Sequence, residues 1–316
     1  MKFSLSFLFI CILSFALVLS CSTEESETEI QDETQNQTSQ QPILQSEPFE
    51  YRYNLHPSLD RYNFYKDSIQ SIISSLNNLM PISSFYHSTD ELLVKGVNIY
   101  SWIKEDDFKP FSSEIGETEQ CICGYVDDYL VMSLEMSEEY DFNPDYESNF
   151  KYALIAHEFF HVYQIFKSQG LEYISFWMLE GQAATFESLY VKENMNDSDY
   201  ISRFINLDTL EEGIQVIEEY ETYEGFNKNF PLYGDITVFM NLALSKILQE
   251  KGYTEKESFL LIFKKFWESN PNEANSEEKF EEVFGITINE FYKRVSDYTL
   301  SPESLIPSIS LSEIFN

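Results

Sequence analysis

Basic residues are scarce in this sequence: 20 Lys and Arg stand against 54 Asp and Glu in 316 residues, a net charge of −34 at pH 7. Binding to a nucleic-acid backbone needs clustered Lys and Arg that displace counterions, so this charge disfavours a nucleic-acid partner. Gly and Pro are also few, with 10 of each, whereas aromatic residues make up 16%. This balance argues against a fibrous or disordered chain and predicts a packed globular core.

An apolar run at the N-terminus is too short for a comfortable bilayer span. It extends from Phe3 to Val18 after a basic Lys2 and predicts an export signal over residues 1–20. The following Leu19-Ser20-Cys21 resembles the end of the bacterial lipobox, in which the Cys is acylated and becomes the new N-terminus. The resemblance implies a protein held through lipid on Cys21 in the bacterial cell envelope, outside the cytoplasm. A transmembrane anchor, or an ordinary signal with a chance Cys, stays open as the alternative.

Residues 21–46 contain mostly Ser, Thr, Glu and Gln and no Lys or Arg, which is typical of a solvated tether. Its acidic cluster, residues 24–27, resembles the stretch that sends some bacterial lipoproteins to the cell surface, although a charge run is more often a soluble spacer. Cysteine is scarce, with four in the chain. Cys121 and Cys123 would share one face of a strand, where a disulfide between them would be strained, so two small buried thiols are favoured.

Residues 47–316 are predicted to form one α+β domain. A helical spacing over Ser58–Leu79 and strand-like alternation over Ile82–Trp102 and Ile122–Met136 give a mixed part at residues 47–142. From residue 143 onwards the pattern predicts a mainly helical part, with no internal repeat and no second linker. Its predicted helices are Asp145–Gln169, Phe176–Glu193, Ile236–Gln249, Glu255–Trp267, Glu277–Phe284 and Asn289–Tyr298.

The candidate chemistry lies in the helix predicted at Asp145–Gln169, which Asn143 and Pro144 would start. This helix contains the sequence HEFFH at residues 157–161. Histidines four residues apart share one helix face, so their imidazoles can converge on one metal ion, while Glu158 is rotated by about 100° and can reach a water on that metal. The alternative is a core helix with two satisfied histidines, but the uncharged flanking residues favour a buried site.

A third ligand is expected, because catalytic zinc usually takes three protein ligands and leaves one position for water. Glu180 follows the motif after eighteen residues, enough for the helix to end at Gly170 and return as an adjacent helix. Small residues accompany Glu180 on one stripe of that second helix and allow close approach to the first. The stripe consists of Glu180, Ala183, Ala184 and Glu187.

The HEFFH motif, the eighteen-residue spacing and Glu180-Gly181-Gln182-Ala183 together resemble the gluzincin clan of zinc metallopeptidases, with a spacing similar to that of the aminopeptidase N family. A weaker similarity extends to residues 280–287. The resemblance implies a zincin-like fold, in which the sheet-containing and helical parts meet at a cleft over the zinc. It implies one zinc ion per chain with His157, His161 and Glu180 as ligands, Glu158 as general base, and Glu187 as a carboxylate that orients a ligating imidazole.

Two departures limit what the resemblance implies. The Gly-x-Met-Glu-Asn strand that holds the substrate's free amine in aminopeptidase N-like enzymes is missing, and so is a large N-terminal β-domain, so aminopeptidase activity is not implied. Tyr233 occupies a place similar to that of the family's oxyanion-stabilising tyrosine, with aromatic packing at a helix start as an equal alternative. The expectation is a zinc metallopeptidase acting on peptides or proteins. The alternatives are a surface binding module without turnover and a zinc hydrolase of a non-peptide bond.

Overall fold

Strands are confined to the N-terminal half of the described part of this chain, which is known from a computed structural model. The described residues are 48–61, 64–87, 92–104, 110–115, 120–137, 149–170, 175–205, 207–228, 233–272 and 274–316. The predicted signal, Cys21, the tether, and the predicted helix start at Asn143 and Pro144 lie outside these ranges. None of the helices within them combines the length and apolar character needed to cross a membrane.

The fold is α+β, as the sequence predicts, and the named strands all end before residue 137. They are β1 (Glu50–Leu55), β2 (Phe85–His87), β3 (Leu92–Val94), β4 (Gly96–Ile103), β5 (Gln120–Val126) and β6 (Tyr129–Met136). The run predicted at Ile82–Trp102 is therefore divided among three strands, and the run at Ile122–Met136 falls in a hairpin. β1 was not expected from the sequence pattern.

Four of these strands form one mixed sheet in the order β1-β4-β6-β5. β1 and β6 pair with β4 in parallel, whereas β5 and β6 are antiparallel. Because side chains alternate along a strand, the sheet has two different faces. One face joins the main core through Val97, Ile99, Leu130 and Met132. The other carries a smaller cluster around Tyr100, Trp102 and Val131.

The helices build the rest of the domain and match most of the predicted segments. They are α1 (Phe64–Leu79), α2 (Ser112–Ile115), α3 (Phe150–Ser168), α4 (Phe176–Asn194), α5 (Leu207–Ile214), α6 (Tyr223–Lys228), α7 (Tyr233–Glu250), α8 (Glu255–Leu260), α9 (Phe266–Glu268), α10 (Ser276–Phe284), α11 (Ile288–Val295) and α12 (Leu311–Phe315). The helix predicted at Ser58–Leu79 is divided, because Pro57–Arg61 form a 3₁₀ turn before α1. A π-helical turn at Leu261–Lys265 joins α8 to α9.

α3 is the central helix of the domain, and every residue from 153 to 165 is buried. It packs against α1, α4 and the strands β5 and β6. An aromatic cluster fixes its position, since the Phe160 ring stacks on Phe186 of α4 with centroids 4.6 Å apart and meets Phe263 edge-on at 5.4 Å. The apolar surface buried in this way holds α3 and α4 side by side.

The end of α3 explains how the chain returns. Gln169 and Gly170 both have positive φ, at 54° and 136°, and the Gly170 amide donates to the Ile165 carbonyl at 3.2 Å. A side chain at Gly170 would not fit, because an added Cβ would lie 2.7 Å from Nε2 of His87. The chain therefore leaves α3 at this point and re-enters the core as α4, which runs antiparallel to α3.

Replacing Gly181 by Ala tests how closely α4 approaches α7. An added Cβ would lie 2.7 Å from both the Asn241 amide nitrogen and the Thr237 carbonyl oxygen. We expect Gly181→Ala to lower the free energy of unfolding by about 1–3 kcal/mol, although Gly→Ala in an open helix stabilises by up to about 1 kcal/mol. Urea unfolding measures this change.

Gly213→Ala in α5 is the control for this substitution. The nearest atoms there belong to the Ile236 side chain, at 3.1 Å, so we expect a smaller loss. An unfolding free energy of Gly181→Ala equal to or above that of the wild type would contradict the tight contact.

Candidate metal centre

α3 places the two motif histidines on one face, one helical turn apart. The rings of His157 and His161 lie 4.8 Å apart, centroid to centroid, at an interplanar angle of 78°. Both side chains are buried, with 9% and 7% of the residue surface exposed. Two imidazoles are thus held together away from water, which is the arrangement that the four-residue spacing predicts.

α4 brings Glu180 to the same point. Its Oε2 atom lies 3.3 Å from Nε2 of His157 and 3.5 Å from Nε2 of His161. The candidate ligand atoms of these three residues all lie within 4.8 Å of one another. The Glu180 side chain keeps 20% of its surface exposed, so the cluster is open to solvent on the side of Glu180.

The other nitrogen of each imidazole is held from behind by an acceptor. Nδ1 of His157 lies 2.8 Å from Oε2 of Glu187, and Nδ1 of His161 lies 2.7 Å from Oε1 of Gln164. Glu187 therefore lies where the sequence predicts a carboxylate that orients an imidazole. Gln164 was not among the predicted site residues, although its position three residues after His161, on the same helix face, is a signal for such a contact.

These contacts determine which nitrogen of each ring carries the proton. A neutral imidazole has one N–H and one lone pair, and an acceptor behind Nδ1 requires the N–H there. Both Nε2 lone pairs then point towards the Glu180 carboxylate, which is also an acceptor. Three acceptors at 3.3–3.5 Å need a cation between them, either a proton on each ring or one metal ion.

The charges of the cluster shift its pKa values in the directions that this arrangement requires. Burial alone lowers the pKa of His157, but hydrogen bonds with Glu180 and Glu187 raise it well above its usual range. The pKa of His161 is also raised, because the charge of Glu180 outweighs burial. Conversely, the nearby His161 and His157 hold the pKa of Glu180 below its usual range despite burial.

The distances suit a divalent metal ion. Ligands about 2.0–2.2 Å from a tetrahedral metal lie roughly 3.3–3.6 Å from one another, a range that includes the distances of 3.3 and 3.5 Å from Oε2 of Glu180 to the two Nε2 atoms. His157, His161 and Glu180 therefore form a group that could hold a metal ion.

Glu158 follows the first histidine but lies outside this ligand group. It is 2% exposed, and its Oε2 atom has no hydrogen-bond partner among the described residues. Burial raises the pKa of this carboxylate, while the charges of His161 and His157 lower it in part. Buried polar atoms without a partner are uncommon in folded proteins, and a catalytic role is one of the reasons for which they occur.

Tyr233 is the first residue of α7, and its side chain lies outside the described atoms. The backbone of α7 packs against α4, because Thr237 contacts the Gly181 position and the Asn241 amide donates to the Trp177 carbonyl at 3.3 Å. Tyr233 lies one helical turn before Thr237 along α7, and its role as oxyanion donor stays a prediction. The side chains of Cys121 and Cys123 in β5 also lie outside the described atoms.

Metal binding should release protons, because the ion takes the place that protons occupy between the three acceptors. The pKa of both His157 and His161 is raised, which favours protonated rings in the metal-free protein, so we expect a divalent ion to displace protons when it binds. Apparent affinity should fall as the pH drops through these raised values, beginning above the ordinary histidine pKa of about 6.5. Zn²⁺ titration calorimetry in buffers of different ionisation enthalpy counts the protons.

His56→Ala is the matched control for this prediction, because His56 bonds to Ser58 at 3.0 Å and does not belong to the cluster. His157→Ala and Glu180→Ala should each weaken metal binding, whereas His56→Ala should retain it. Equal proton release by wild type and His157→Ala would contradict the arrangement.

Comparisons of the chain with protein-family models, with curated proteins and with solved structures gave no match.

Proposed function

We propose that this chain is a zinc-dependent metallopeptidase of the bacterial cell envelope that acts on peptide or protein substrates. The main supporting observation is that a buried carboxylate oxygen of Glu158 has no hydrogen-bond partner among the described residues, beside three residues that could hold a metal ion. A metal site that only stabilised the fold would gain nothing from this oxygen, since an unpaired buried polar group costs about 1–3 kcal/mol. A group that must accept a proton during a reaction explains it.

The donor set favours zinc. Two imidazole nitrogens and one carboxylate oxygen are a common ligand set for catalytic zinc, which keeps a fourth position for water or substrate. Three ligands and an opening beside Glu180 support such a centre, with one ion per chain. Structural zinc sites usually have four protein ligands instead.

Glu158 would act as the general base. A zinc ion held by the three ligands supplies polarisation of the scissile carbonyl and a water of lowered pKa. Glu158 accepts the proton of the attacking water and later delivers it to the leaving amine.

The proposed fold is zincin-like, with the zinc centre between a sheet-containing part at residues 47–142 and a helical part at residues 143–316. The packing supports this division, because α3 contacts β5 and β6 as well as α4. The substrate would lie in a cleft over the centre, on the side where Glu180 is exposed.

The Glu158→Gln substitution separates an enzyme from a binding module that uses the same metal centre. Glutamine keeps the shape of the side chain but cannot accept the water proton, so we expect hydrolysis to fall by about 10²–10⁴-fold with zinc retained. Cleavage of a mixed peptide library, followed by mass spectrometry with and without chelator, provides the assay. Zinc content is measured on the same samples.

Glu135→Gln is the matched control, because Glu135 is also 2% exposed but lies in β6 and pairs with Lys104 at 3.2 Å. It should leave cleavage unchanged. If zinc-loaded Glu158→Gln cleaves as fast as wild type, the mechanism is wrong. If wild type and Glu158→Gln both fail to cleave any member of the library but bind the same peptide equally well, a binding module replaces the peptidase as the proposed function.

We further propose that lipid on Cys21 anchors the protein to the membrane, on the basis of the lipobox resemblance. A Ser at this position cannot form the thioether, so Cys21→Ser should leave an unprocessed precursor or release the protein from the membrane fraction. Fractionation with metabolic fatty-acid labelling measures both outcomes. Cys11→Ser, within the predicted signal, serves as control, and normal processing with membrane retention of Cys21→Ser would rule the anchor out.

A further inference from the structure

Gln164 is a fully buried amide that bridges the two helices of the metal centre. Its Oε1 atom lies 2.7 Å from Nδ1 of His161, and its Nε2 atom donates to the Leu179 carbonyl at 3.1 Å. None of its surface is exposed. The side chain thus contacts one proposed ligand directly and the residue before another, Glu180.

The Leu179 contact determines how the amide is oriented. A backbone carbonyl can only accept, so the NH₂ group of Gln164 must face Leu179 and the amide oxygen must face His161. An amide oxygen also can only accept, so Nδ1 of His161 must carry the proton. The lone pair of His161 is therefore on Nε2, the atom that lies 3.5 Å from the Glu180 carboxylate.

We infer that Gln164 is a positioning residue, which holds His161 in the tautomer and orientation that bind the metal. The inference rests on the proposed zinc centre and adds to it the residue that prepares the second histidine. Hydrogen-bond partners of ligating histidines contribute strongly to metal binding, since losing one typically lowers metal affinity by about 10–100-fold. Gln164 also ties His161 to the turn of α4 that presents Glu180, so both ligands are positioned before the metal arrives.

A purely structural role for Gln164 makes a different prediction. If the amide only fastened α3 to α4, its bond to Leu179 would matter and its bond to His161 would not. Gln164→Glu separates the two bonds, because a carboxylate still accepts from Nδ1 of His161 but cannot donate to Leu179. Gln164→Met removes both bonds and preserves most of the volume.

Gln182→Met is the matched control. Gln182 is also fully buried, lies in α4, and accepts from Nε1 of Trp267 at 2.7 Å rather than from a ligand. Its loss should lower stability without changing the affinity for zinc. Circular dichroism and urea unfolding of all three variants identify any that fail to fold.

Zinc affinity, measured by competition with a chromogenic chelator, is the primary readout. We expect Gln164→Met to bind zinc about 10–100-fold more weakly than wild type. Where this loss exceeds about tenfold, Gln164→Glu should bind zinc at least about tenfold more tightly than Gln164→Met. Imidazole ¹⁵N spectra give an independent readout, since the chain has four histidines. The His161 Nδ1–H signal should persist in the wild type and in Gln164→Glu, and exchange faster with solvent in Gln164→Met.

The outcomes separate this inference from the function on which it rests. If wild type binds no zinc, the proposed metal centre fails. If wild type binds zinc and Gln164→Met binds it equally well, Gln164 is not a positioning residue. Gln164→Glu as weak as Gln164→Met, or Gln182→Met as weak as either, would also overturn the inference in favour of a general packing effect.

Discussion

Three electron-pair acceptors face one another at the centre of this protein, and the surrounding structure keeps them there. The two histidines cannot turn away, because Glu187 and Gln164 occupy their other nitrogens. Glu180 cannot withdraw easily either, because the next residue, Gly181, lies against α7 without room for a side chain. Unbridged, such an arrangement is unfavourable, since each buried acceptor without a partner costs free energy. A cation resolves the conflict, and α3 and α4 are packed so that a single ion can do so.

The parts of the site that the sequence predicts are those with local geometry. Two histidines four residues apart share a helix face regardless of the fold around them. The return to Glu180 is also largely local, because Gly170 ends α3 with a φ of 136° and antiparallel helices then pair residues in reverse order. Glu187, two turns after Glu180, consequently lies behind His157.

The sheet was harder to predict because its pairings are not local. β1 carries charged residues in alternation with Tyr, and its partner β4 begins more than forty residues later in the chain. Parallel pairing of this kind leaves no signal in a short window, whereas the β5–β6 hairpin does. The role of Gln164 was not predicted for another reason. A buried amide on an apolar helix resembles an ordinary packing residue until the Leu179 carbonyl shows how it is oriented.

The Nδ1 atoms of the two histidines have different partners, a carboxylate for His157 and an amide for His161, and charge explains the difference. A bound dication would be neutralised by Glu180 and Glu187, and ionised Glu158 would then leave one excess negative charge in a buried site. A second carboxylate behind His161 would add another, at the desolvation cost that raises the pKa of Glu158. The Gln164 amide supplies the same acceptor atom to Nδ1 without a charge. An oxygen of Glu158 can then remain without a hydrogen-bond partner among the described residues, because Glu158 is not needed to hold either imidazole in place.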